Sequence, residues 1–163
     1  YGAAVWSGLR AARAEYLFYS DADRQFELRE IKNLFEYIHQ YDVVIGYRRH
    51  RRDHFMRRVN TWGWAKLAHL ALGIKVKDPD CAFKLFRRSA LVGISVRSQG
   101  AVFSPELLVK LRRLNRSIKE IPVTHLPRRS GSPTGATARV IVRALRELFD
   151  LWRRTRALGR RKT

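Results

Sequence analysis

An α/β layered domain with a mostly parallel sheet is expected of this chain, on three observations. Helix-like and strand-like segments alternate along most of it, as they do in layered α/β domains. The run Val43-Val44-Ile45 is continuously apolar, the pattern of a strand buried on both faces, as parallel strands are. The third is capacity: 163 residues, 45% hydrophobic and 11% aromatic, suffice for one core.

The elements follow in order. Residues 3–14 read as a helix with Ala4, Leu9 and Ala12 among its small and apolar positions. A chain that opens inside an element is expected to be the later part of a longer one. A strand is expected at 16–20 and a loop at 21–26. A helix follows at 28–40, with Ile31, Leu34, Phe35 and Ile38 on one face. The strand at 42–46 leads into a basic loop, 47–53, and a long helix, 55–72, that Gly73 stops. Residues 83–86 are strand-like. Ser104 is a candidate N-cap, with Pro105 in the first turn of the next helix. A strand is expected at 118–124 and a turn-rich loop at 126–135. From 136 the chain reads as helix to 158, which divides it into a domain over 1–135 and a basic amphipathic helix with its tail over 136–163.

The formal charge of +20 points to anionic partners: nucleic acid, a membrane surface or phosphorylated small molecules. A solvated basic surface is the plainer reading. No apolar run reaches the ~18 residues of a membrane span. Cys81 is the only cysteine, which excludes an internal disulfide and suits a reducing compartment.

Against that charge, Asp21-Ala22-Asp23 stands out. Two carboxylates so close repel each other and are best tolerated with a cation between them. They follow an apolar strand, and ligands of open α/β sheets bind at the carboxyl ends of strands. Mg2+ or Mn2+ takes oxygen ligands, a few from protein and the rest from phosphate and water. Capping of the following helix is the alternative for the pair. Gln25 either orients a ligand of such a site or is a polar loop residue. The segment 46–58 carries Arg48, Arg49, Arg51, Arg52, Arg57 and Arg58, and arginine's planar fork suits phosphate. Asp78 and Asp80 either face the same site or pair with these arginines. Lys84 is a cation in the cleft or an exposed strand residue. Arg128 and Arg129 precede Gly131, Ser132 and Thr134, either as a lid over phosphates or as a surface linker. His54, His69 and His125 lack metal-ligand spacing. The last helix places arginines on one stripe and Ile141, Ala144, Leu145, Leu148 and Trp152 on the other. That pattern fits a membrane-surface helix, a helix packed on the domain, or both.

Taken in order, these motifs resemble the family 2 glycosyltransferases of the GT-A fold, particularly the branch that acts on polyprenyl phosphates, such as dolichol phosphate. YGAAVWSG resembles the helix ahead of the family's metal loop, and YSDADRQFE resembles that loop. DVVIGYR resembles the next strand and its phosphate-binding arginine, and KDPDCAFKLFRR, IKEIPVTH and the arginine-glycine-serine loop follow in family order. The resemblance covers roughly residues 1–135. It implies that Asp21, Asp23 and Gln25 hold Mg2+ or Mn2+. Arg48, with Arg57 or Arg58 and Thr61, would bind the acceptor phosphate. Arg128 would reach the donor or acceptor phosphates from the lid loop, with Arg129 and Lys84 as further ligand-binding candidates. By the same resemblance, Arg24 stands where a glycine or another small or apolar residue is common, and Ala82 where glycine is usual. The family's first strands, which hold the nucleotide base, are expected upstream of Tyr1.

The implied reaction is an inverting sugar transfer from a UDP- or GDP-sugar to a lipid phosphate, at the cytoplasmic face of a membrane, with peripheral contact through 136–158. A phosphate monoester, with its second pKa near ~6, is already ionised and needs no general base. A hydroxyl acceptor would need one, with Asp78, Asp80 or Glu106 as candidates. Two rivals remain at this stage. One is a basic module binding nucleic acid or membrane without catalysis, although zinc spacing and RNA-binding aromatics are lacking. The other is an inactive fragment.

Overall fold

The computed structural model describes residues 1–49, 63, 66–67, 69–127 and 138–159, with side chains in the last segment described from 140 to 156. Four strands form one sheet: β1 (Tyr16–Ser20), β2 (Val43–Arg48), β3 (Phe83–Arg87) and β4 (Ile118–Val123), in the order β1-β3-β2-β4. Among the described residues the α-helices with defined bounds are α1 (Gly2–Ala11), α2 (Ile31–Ile38), α3 (Phe103–Arg113) and α4 (Ala138–Gly159). Of the expected helix 55–72, residues 63, 66, 67 and 69–72 are helical and the others lie outside the described residues. Gly73 ends it with φ +65°, a conformation that costs a side chain energy, and its N–H donates to the His69 carbonyl at 2.8 Å.

Helices cover both faces of the sheet, as the apolar pattern of β2 requires. Val43 and Ile45 pack with Leu9 of α1 and Phe103, Leu107, Leu108 and Leu111 of α3. Val44 points the other way, towards Leu34 and Ile38 of α2. Each fully buried leucine of this kind contributes about 2 kcal/mol.

The expectation of a mostly parallel sheet holds for the direction of three strands, β1, β2 and β4, with one exception. β2 and β4 pair in parallel, but β3 is antiparallel to both β1 and β2. The cause is the route of the chain. It leaves β2 at Arg48 and re-enters the sheet from the same edge, because Asp78, just before β3, is bound to Arg48. A strand that enters where its neighbour left runs the opposite way. The reversal has a functional consequence: it brings the turn 78–82 to the edge where β1, β2 and β4 end.

Two local expectations also change. β2 extends through Tyr47 and Arg48, so the basic loop begins later. Val102, not Ser104, is the N-cap of α3, and the Ser104 hydroxyl is engaged elsewhere.

Candidate active site

Among the described residues, the edge of the sheet at the carboxyl ends of β1, β2 and β4 collects Asp21, Asp23, Gln25, Arg48 and Asp78. Asp21 follows β1 directly. Neither aspartate caps the next helical turn: Glu27 does, accepting from the Arg29 N–H at 3.4 Å. The Asp23 carboxylate instead accepts the Gln25 backbone N–H at 3.2 Å, which folds the loop back on itself. Arg24, between them, has φ +58°, the left-handed region that favours glycine. A glycine at this place would carry no steric cost. Gln25 is buried; its Nε2 donates to the Leu126 carbonyl at 3.2 Å, and the Leu126 N–H returns a bond to the Gln25 carbonyl at 2.8 Å. Gln25 therefore pins the loop to the exit of β4. Phe26 and His125 continue the contact as an isolated antiparallel bridge.

The Asp21 carboxyl titrates above the ordinary aspartate range. Loss of water at the strand end is the main cause; Asp23 adds to it, while Tyr1, Lys84 and Arg48 oppose it. A carboxylate so strained gains from a cation. Among the described residues no three His, Cys, Asp or Glu side chains gather as a metal site. Asp21 and Asp23 thus offer two oxygens from one loop, which suits an ion that completes its shell with diphosphate and water.

Arg48 ends β2 and grips Asp78 with both prongs, Nε to Oδ2 at 2.7 Å and Nη2 to Oδ1 at 2.9 Å. Its backbone N–H reaches the same carboxylate at 3.3 Å. Burial alone would lower the guanidinium's pKa, but the Asp78 carboxylate outweighs it and holds the group above its ordinary value. Of the two readings for Asp78, the ion pair is the one present. Nη1 stays outside this fork.

Lys84 is neither an open cleft cation nor an exposed strand residue: it is 0% exposed. It faces Tyr19 across the β1–β3 pair. Its Nζ donates to the Tyr19 hydroxyl at 3.2 Å, to the Pro79 carbonyl at 3.1 Å, to the Ser104 hydroxyl at 3.3 Å and to the Cys81 carbonyl. Burial lowers its pKa, against the pull of Cys81, Asp80 and Asp78. The turn it holds also contains Cys81, whose thiol burial pushes up to about 12, so it is no nucleophile at neutral pH.

Glu106 is corrected. It is fully buried, accepting the Ser98 N–H at 2.7 Å, the Arg97 N–H at 3.2 Å and Lys110 Nζ at 2.5 Å. It anchors the segment before α3 and is unsuited to act as a general base. Arg57, Arg58, Thr61, Arg128 and Arg129 lie outside the described residues. Tyr19 and Ser104, as partners of Lys84, were not foreseen as site residues. The register of β1 against β3 reveals Tyr19, and the packing of α3 on the sheet reveals Ser104.

On α4, the buried stripe is Ala144, Leu148, Leu151 and Thr155, with Leu148 and Leu151 packed on Val102. A second apolar stripe, Ile141, Val142, Leu145 and Phe149, stays exposed. Arg153 lies over the Phe149 ring and Arg156 over Trp152. Core-facing and solvent-facing apolar edges therefore coexist. No described helix is long and apolar enough to cross a membrane.

The chain is similar to known proteins. The model of the family described as Glycosyl transferase family 2 matches residues 1–94. The chain is 28% identical over 153 residues to the dodecaprenyl-phosphate galacturonate synthase of Rhizobium johnstonii, covering 90% of this chain and 45% of that protein. To the undecaprenyl-phosphate 4-deoxy-4-formamido-L-arabinose transferase of Pseudomonas paraeruginosa it is 31% identical over 154 residues, covering 91% and 42%. The chain thus spans less than half the length of these curated relatives. Among solved structures, the glucosyl-3-phosphoglycerate synthase of Mycobacterium tuberculosis, in complex with Mn2+, UDP-glucose and phosphoglyceric acid, superposes with a TM-score of 0.66 at 17% identity, over 93% of this chain and 54% of that one. The likeness shows the α/β GT-A fold. With the family model matching more than half of the chain, the protein belongs to glycosyl transferase family 2.

Proposed function

We propose that this protein carries the metal and acceptor half of a glycosyltransferase that moves a sugar from a nucleoside-diphosphate sugar to a polyprenyl-type lipid phosphate. The observation that carries this reading is the uncapped Asp21–Asp23 loop at the end of β1, inside the family match. The names of the relatives support the acceptor, since they specify dodecaprenyl, undecaprenyl and dolichyl phosphates. Mn2+ or Mg2+ accompanies UDP or UDP-glucose in the solved neighbours, which supports a divalent cofactor.

A metal bound here would neutralise charge developing on the leaving diphosphate. Asp21 and Asp23 would hold it, while Gln25 keeps their loop against β4. Arg48, fixed by Asp78, stands where an incoming phosphate can be aligned, with Arg57 or Arg58, Thr61, Arg128 and Arg129 as further phosphate ligands. The acceptor oxygen attacks the sugar carbon as the bond to the diphosphate breaks, and the configuration inverts. The exposed stripe of α4, with Arg146, Arg153 and Arg156 near it, suits an anionic leaflet, and we place the protein peripherally on the cytoplasmic face of the membrane.

The test is sugar transfer from UDP- and GDP-sugars to a short polyprenyl phosphate, with Mn2+ and with chelator. Asp21→Asn/Asp23→Asn should lower transfer about a thousandfold, since metal stabilisation is worth several kcal/mol and ~1.4 kcal/mol is tenfold in rate. Metal-dependent breakdown of a donor without lipid product would redirect the acceptor to a hydroxyl. A folded protein that uses no donor and binds no Mn2+ would overturn the reading.

A further inference from the structure

A lysine on the central strand of a covered sheet is a costly choice. An apolar residue of similar length would fill the space without desolvating a charge. Lys84 nevertheless sits there at 0% exposure, and all four of its recorded partners are uncharged oxygens. Those oxygens belong to three separate parts of the site wall. Pro79 and Cys81 are in the turn that begins at Asp78, which the Cys81 N–H closes on the Asp78 carbonyl at 3.2 Å. Tyr19 lies two residues before Asp21. Ser104 is in the first turn of α3, and its hydroxyl also meets that of Tyr19 at 3.1 Å. One ammonium therefore joins the base of the carboxylate loop, the turn that presents Arg48's counter-ion, and the helix behind them.

We propose that Lys84 is a positioning residue: its buried ammonium ties the 78–82 turn to the end of β1 and so sets the Asp78–Arg48 pair against the Asp21–Asp23 loop. The proposal rests on the functional reading above for the meaning of those two groups. It replaces the expectation that Lys84 touches a ligand. At 0% exposure the lysine acts through the backbone carbonyls it holds. Residues 79–81 turn two carbonyls inward at one point, and without a multiple donor there the turn has no reason to keep that shape. Tyr19 cannot replace it, having a single O–H.

Lys84→Met, with Lys84→Gln beside it, tests the role in the whole protein. Two readings are taken on folded variants with cooperative melts. The first is hydrogen exchange of the Arg48 Nε–H by NMR, which reports the grip of Asp78 and needs no metal. The second is the affinity for Mn2+ alone, followed by the free-ion EPR signal. Positioning predicts at least tenfold faster Nε–H exchange and at least tenfold weaker Mn2+ binding in Lys84→Met, with Lys84→Gln in between. A role as mere charge predicts the opposite for the ion: loss of a nearby cation would tighten Mn2+. Tighter or unchanged Mn2+ binding together with unchanged Arg48 exchange would overturn the proposal. Failure of both variants to fold would assign Lys84 to the fold alone and overturn it too. If the native protein binds no Mn2+ at all, it is the metal reading that fails, and the Arg48 exchange alone decides on Lys84.

Discussion

Two fully buried charges lie at opposite sides of the start of α3, and they are satisfied in different ways. Glu106 is ringed by charge-assisted donors: Lys110 Nζ and the N–H groups of Arg97 and Ser98. Lys84 is ringed by carbonyl and hydroxyl oxygens. Both pKa values fall below their ordinary ranges, with opposite meanings. For Glu106, burial alone would raise it, and the donors reverse that, so the charge is favoured. For Lys84, burial dominates and the charge is disfavoured. The first arrangement strengthens the fold. The second spends stability on shape, and it stands beside the candidate active site.

The comparison can be broken most sharply at Glu106. Glu106→Ala strands two amide donors and a lysine, and should cost about 3 kcal/mol in urea denaturation. The native protein carries the matching pH signature. The folded carboxyl titrates below the unfolded value of 4.5, so its contribution is complete above that pH and is lost as pH falls through the lower folded value. Acid unfolding of Glu106→Gln should lack this component.

Lys84→Met sharpens the contrast, for it should change stability by no more than about 1 kcal/mol, since the lost carbonyl bonds are offset by the desolvation no longer required. A loss as large as that of Glu106→Ala would erase the distinction between the two charges. The smallest effect belongs to the loop beside Lys84's strand. Arg24→Gly relieves a left-handed residue and should stabilise by about 0.5–1 kcal/mol, read as a raised melting temperature. An unchanged melting temperature would mean that the loop already relaxes at Arg24.

Much of this was legible in the residue order. Apolar segments located β1, β3 and β4, helical spacing located Leu34 and Ile38 of α2 although Phe35 of the same expected face is exposed, and the Asp-x-Asp spacing at a strand end located the carboxylate loop. That α4 could pack on the domain and also face a membrane was legible too, but Leu145 and Leu148, read as one apolar side, are divided by the structure into an exposed and a buried residue. The pairing of β3 was not legible. Residues 83–86 read the same in either direction, and the direction depends on where Asp78 finds a partner. The roles of Ser104 and Glu106 were misread for a related reason: each has a local pattern, a cap or a free carboxylate, that a tertiary partner overrides.

By itself, then, the sequence determined which residues are buried on which period, where strands end in acids, and that the chain is strongly basic, because those follow from local chemistry along one dimension. The tertiary structure decided that β3 runs backwards, that Arg48 grips Asp78, and that Lys84 is sealed among oxygens from three elements. Each of those depends on contacts between residues far apart in the chain, and the spacing of residues in one element carries no information about which oxygen of another will stand opposite.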